Sequence, residues 1–141
     1  MTTKNALKIG FAASITPVAQ AAFAALTKRY GNVALEEADI IVALGGDGFM
    51  LQTLHGCQHL GAPVYGMNRG TIGFLMNEYN EDGLVERLKG AERADINPLS
   101  MTATGVDGTI HKALAINEVS LLRSGAQAAK VRITVGDKLR M

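Results

Sequence analysis

Apolar positions along this chain follow two rhythms. Three short unbroken runs, ALKIGFAA (6–13), ADIIVAL (38–44) and APVYGMN (62–68), alternate with stretches in which apolar residues recur at helical spacing. Unbroken runs of that length describe buried strands covered on both faces, as in a parallel sheet. Between the first two runs, Thr16 reads as an N-cap and Pro17 as the first helical residue, where its missing N–H costs nothing. Val18, Ala22, Ala25 and Leu26 would form the inner face, and Gly31 the stop. A second helix, starting near Phe49, is expected over GFMLQTLHGCQHLG (48–61), and a short third one over Glu81 to Lys89, capped by Asn80. Strands alternating with helices predict a Rossmann-like α/β unit with a parallel sheet.

The pattern changes after Asn97-Pro98. LSMTATGVDGTIHKALAINEVSLLR (99–123) reads as two strands around a VDGT turn. AAKVRITVGDKLRM (128–141) starts another hairpin, with Gly136-Asp137 at its turn and Lys130 and Arg132 alternating with Val131 and Ile133. The expected boundary lies at residues 94–98, dividing an α/β unit (1–96) from an all-β one (97–141). A last strand as short as KLRM would leave open apolar sheet edges, so the expectation is an all-β unit that is incomplete here.

Composition narrows the partners. A net charge of +1, with no block of like charges, argues against nucleic acid and acidic membrane surfaces. The single cysteine, Cys57, excludes an internal disulfide framework, suits a reducing cytoplasm and reads as a small buried apolar residue. The N-terminal run has a faint signal-peptide look, but Pro17 and Gln20 interrupt it and it divides into a strand and a capped helix. No apolar run reaches membrane-spanning length, and a soluble protein is expected. His55 and His59 have metal-ligand spacing, but no carboxylate follows His55 and Gly56 weakens the helix between them, so no zinc site is expected.

The candidate chemistry sits in Gly45-Gly46-Asp47-Gly48, between a strand and a helix. That is the carboxyl end of the sheet, where open α/β folds bind ligands. Glycines there permit positive φ and let a phosphate or ribose approach the backbone N–H groups, while the helix N-terminus favours an anion. Asp47 could accept a proton from a hydroxyl nucleophile or hold a metal bound to phosphates. Neither a Walker loop nor a G-x-G-x-x-G fingerprint is present.

GGDG after a buried strand resembles a feature shared by NAD kinases, diacylglycerol and sphingosine lipid kinases, and phosphofructokinases. Two further stretches single out the NAD kinases. GMNRGTIGFL resembles their G-x-x-G-F segment, with Gly70, Gly73 and Phe74 in the matching places, and ALAINEVSLLR resembles their Asn-Glu motif at Asn117-Glu118. A diacylglycerol kinase would show a Gly-Thr-Gly-Asn-Asp-like stretch where this chain reads NRGTIGF.

The resemblance implies ATP-dependent phosphorylation of the adenosine-ribose 2′-hydroxyl of NAD, giving NADP. Asp47 would accept the hydroxyl proton, and Gly46 and Gly48 would leave room for the substrate. Phe74 would offer an apolar face to the adenosine, unless it is a core aromatic. Asn117 and Glu118 would contact base and sugar, unless they are merely the polar end of a strand. Mg2+ is implied as the counter-ion of ATP, held mainly by phosphates rather than by a protein cage. Residues 1–96 would form the nucleotide-kinase domain and 97–141 the start of the β-rich NAD-binding domain. NAD kinases continue past the Asn-Glu motif into an Asp-Gly pair and a further substrate-binding segment, and are generally homo-oligomers. Little activity and marginal stability are therefore expected of these 141 residues alone. The remaining alternatives are a catalytically dead nucleotide-binding module and a lipid kinase catalytic domain.

Overall fold

The computed structural model describes residues 6–71 and 73–141. Met1 to Asn5 of the N-terminal run, and Ile72 of the glycine-spaced segment, lie outside the described residues. The chain forms an α/β structure around three parallel strands in the order β1 (Ile9–Ala13), β2 (Ile40–Gly45), β3 (Val64–Asn68). β2 lies in the centre and is buried along its whole length, which explains its lack of polar alternation.

Helix α1 (Pro17–Tyr30) follows β1. Its ends are those expected: Thr16 accepts from the Ala19 amide, Pro17 opens the helix, and Gly31 ends it at φ 78°. Lys28 and Arg29 in the last turn complement the helix dipole. The buried face differs from expectation. Ala19, Ala22 and Leu26 face the sheet, whereas Val18 is exposed. The inward stripe starts at Ala19 and runs at i, i+3 and i+7.

Strand alternation divides the core between two faces. Ile40, Val42 and Leu44 pack with Ile9, Phe11, Met67 and the α1 stripe. Leu84 and Leu88 of α3 (Leu84–Gly90) close the same side. α3 begins three residues later than expected, with Gly83 as N-cap at φ 61°. Asn80 does not cap it; its side chain accepts from the Asp82 amide and shapes the preceding turn. On the other face, α2 (Asp47–Cys57) packs against β2 and β3, burying Met50 and Thr53. A single 3₁₀ turn, Gln58–Leu60, then ends in Gly61 at φ 70°.

Both sheet edges are occupied. The Val33 amide donates to Ile9 and Asn32 accepts from Phe11 on the β1 side. Asn77 returns beside β3, its amide donating to Gly66 and its carbonyl accepting from Asn68. These contacts partly cover the outer edges of β1 and β3.

Beyond an extended stretch at 91–98 come two hairpins. β4 (Leu99–Thr104) pairs antiparallel with β5 (Ile110–Ala115), and β6 (Thr134–Val135) with β7 (Lys138–Leu139). Gly108 and Gly136 take the left-handed conformation at the two turns. In the first, the Asp107 carboxylate accepts from the Thr109 amide and hydroxyl, which together hold its pKa below the ordinary aspartate value. The alternation of Lys130 to Ile133 does not become a strand. β6 starts only at Thr134, and Val131 and Ile133 are exposed. Among the described residues no helix is long and apolar enough to cross a membrane.

Candidate functional site

β2 ends at Gly45, and α2 begins two residues later with Gly46 as N-cap. The helix thus starts at Asp47 rather than near Phe49, which puts Asp47 in its first turn, a favourable place for a carboxylate. None of the GGDG glycines has positive φ, contrary to one role expected of them. They matter through space. A Cβ on Gly45 would lie 2.8 Å from that of Phe49, so β2 and α2 could not meet as closely. A Cβ on Gly46 or Gly48 would meet nothing within 4 Å. Open volume therefore flanks Asp47 on the chain.

The segment after β3 folds back over this motif. The Arg69 amide donates to the Gly45 carbonyl at 2.7 Å, and the Gly70 amide to the Asn68 side chain at 2.9 Å. Gly70 rests on the backbone of Gly46, where a Cβ would come within 3.4 Å of the Gly46 nitrogen. Further along, the amides of Phe74 and Leu75 donate to the two carboxylate oxygens of Asp47, at 2.8 and 3.0 Å. Two glycine-rich stretches far apart in sequence thus form one structure around Asp47.

Phe74 is fully exposed, so it is not a core aromatic; its ring is free on the surface while its amide holds Asp47. Phe74 and Leu75 also border a cavity of about 720 Å³ that runs past Met50, Leu54 and Gly66 to Ile96. Asn117 and Glu118 lie just beyond the end of β5 and are exposed. They line a shallow cleft of about 480 Å³ against Leu51, Gln52, His55 and Gly56 on α2. Asp47 lines neither cavity. The structure therefore joins Asp47 to Phe74, and Asn117 and Glu118 to the later turns of α2, without bringing the four side chains into one cleft.

Cys57, at the end of α2, is partly buried, and desolvation, helped by the Glu36 charge, pushes its thiol pKa up, away from nucleophilic character. Two features escaped the sequence reading. The Arg69 guanidinium stacks 4.0 Å from the centre of the Tyr79 ring, a cation–π contact beside the site. Burial and a hydrogen bond to Glu81 raise the Tyr79 pKa. The second is the role of Leu75, which acts through its amide alone and so leaves no trace in residue type.

A family model for the ATP-NAD kinase N-terminal domain matches residues 1–90. The chain is 62% identical over 134 residues to an NAD kinase of Cereibacter sphaeroides, covering 95% of this chain and 53% of that protein. It is 57% identical to the NAD kinase of Caulobacter vibrioides over 134 residues (95% and 52%). For that of Brucella suis the identity is 51% over 137 residues (97% and 53%). The chain spans about half the length of these relatives. With the family model covering most of its length and the relatives nearly all of it, the chain belongs to the NAD kinase family.

Proposed function

We propose that this chain contributes the reacting-group end of an NAD kinase, which transfers the γ-phosphoryl group of ATP to the adenosine-ribose 2′-hydroxyl of NAD. The observation that carries this reading is Asp47, fixed at the carboxyl end of the sheet with open space over Gly46 and Gly48. The 2′-oxygen forms a bond to the γ-phosphorus, the bond from that phosphorus to ADP breaks, and the hydroxyl proton passes to Asp47. Each Asp47 oxygen accepts one amide, which leaves acceptor capacity for that proton. Phosphoryl transfer depends mostly on positioning and charge stabilisation, so a carboxylate suffices as acceptor.

Phe74 presents its ring to the adenosine, and Asn117 and Glu118 are assigned to base and sugar contacts, Gly46 and Gly48 to close substrate approach. Mg2+ would enter with ATP. Asp47 is flanked by the open space over Gly46 and Gly48, and a single carboxylate suits an ion held chiefly by phosphates. The domain division at residue 96, the homo-oligomer and the cytoplasmic location belong to the same reading. The lone cysteine supports the last, and the exposed Leu99, Ile110 and Leu114 of the first hairpin support assembly.

The test is NADP formation from NAD and ATP by the protein produced from its own gene. Asp47→Asn should lower kcat by about 10²–10⁴-fold, the usual contribution of a positioned acid–base group, with NAD affinity kept within about threefold. Unchanged turnover in Asp47→Asn would remove Asp47 from the role. Phosphorylation of diacylglycerol in place of NAD would redirect the whole reading.

A further inference from the structure

The side chain of Asp47 is held by backbone, not by other side chains. Its only hydrogen-bond donors among the described residues are the consecutive amides of Phe74 and Leu75, one to each oxygen. A carboxylate on a short side chain rotates broadly about its last bond. Two donors from adjacent peptides stop that rotation and leave a free lone pair on each oxygen. The donors are themselves fixed. Before them, the loop is pinned to the sheet by the Arg69 amide on Gly45, and after them by the paired contacts of Asn77 with Gly66 and Asn68.

Gly73 makes this arrangement sterically feasible. A methyl group at its Cβ position would overlap both carboxylate oxygens of Asp47 and the carbon between them. Space alone therefore calls for glycine at this position. Gly46 and Gly48 differ, since a Cβ on either would meet no atom within 4 Å.

We propose that Gly73 is a positioning residue, whose missing side chain lets the Phe74 and Leu75 amides hold the Asp47 carboxylate in the orientation that receives the hydroxyl proton. This rests on the reading of Asp47 as proton acceptor. In Gly73→Ala the easiest relief is to swing the Asp47 carboxylate away, because it is the end of a side chain whereas the loop is anchored at both ends. Both amide hydrogen bonds are then lost while the fold stays intact. A displacement of about 1 Å at a reacting group costs on the order of 10²-fold in rate.

The experiment is a double-mutant cycle in the protein produced from its own gene, measuring kcat and the KM for NAD and ATP. Gly73→Ala should lower kcat by about 10–10²-fold, with both KM values within about threefold. In the Asp47→Asn background the same change should lower kcat no further, because the group it acts through is already gone. A Gly73→Ala effect that multiplies unchanged in that background makes the glycine merely structural and overturns the proposal. So does wild-type kcat in Gly73→Ala. Full activity in Asp47→Asn would instead overturn the underlying assignment of Asp47, and the positioning role with it. A second measurement needs neither turnover nor the alanine variant at Gly73. Asp47→Ala should speed hydrogen exchange of the Phe74 and Leu75 amides and leave that of Arg69, bonded to Gly45, unchanged. Unaltered exchange at Phe74 and Leu75 would overturn the proposal even if Gly73→Ala did not fold.

Discussion

Glycine serves four purposes within thirty residues here, set apart by what surrounds each one. Gly45 permits close packing of α2 on β2, Gly46 and Gly48 leave empty space, Gly61 supplies a left-handed turn, and Gly73 makes way for a carboxylate. The distinction gives opposite expectations for identical substitutions. Gly45→Ala would drive a Cβ to within 3.0 Å of three atoms of the Phe49 side chain. It should destabilise by about 1–3 kcal/mol, the usual cost of overpacking. Gly46→Ala, with nothing in reach and an extended φ of −109°, should change stability by less than about 1 kcal/mol. Paired thermal melts check the contrast, and equal losses would refute it. At this scale the sequence was legible as chemistry but not as geometry. GGDG and G-x-x-G-F announced a site, yet nothing in residue type says that Leu75 acts through its amide or that the GGDG glycines avoid positive φ.

Helix and strand boundaries were readable where a local signal decided them. Thr16, Pro17 and Gly31 delimit α1 through their own backbone chemistry, and Gly136-Asp137 turns the last hairpin. Boundaries set by tertiary contact were not readable. α2 starts at Asp47 because Gly46 can cap it while the Phe74 loop holds Asp47 from above. Asn80 loses the cap of α3 to Gly83, whose Tyr30-linked neighbour Leu84 must be buried. The α1 cap itself is modest. The Ala19 amide reaches Thr16 Oγ1 at 3.4 Å, and that hydroxyl is shared with Ser14 at 3.1 Å. Thr16→Ala should therefore cost about 0.5–1 kcal/mol, the low end for a lost N-cap, and Thr16→Ser less than half of that. Denaturant melts of the two variants decide it; a loss above about 2 kcal/mol would mean that the Ser14–Thr16 turn does more than cap.

Across the molecule, burial is strongly uneven. The residues buried as core run from Ile9 to Leu88, while residues 91–100 and nearly all of 102–141 are exposed. The parallel sheet has both edges occupied and both faces covered, so its amides open only when the sheet itself comes apart. The β4–β5 pair has backbone hydrogen bonds but little apolar cover: Leu99, Ile110 and Leu114 are all at least 43% exposed. Such a ribbon opens locally at small cost. In a polypeptide of these 141 residues, hydrogen exchange should therefore protect Ile41 to Leu44 at least about 10²-fold more than Lys112 to Ala115. Equal protection would show that the hairpins are buried against something, and protein concentration then identifies it. Protection of β5 that climbs with concentration means that a second copy covers those apolar side chains, and the homo-oligomer gains direct support. Protection that stays constant means instead that the hairpin docks within its own chain, and that β4 and β5 add to the stability of the α/β unit that holds Asp47.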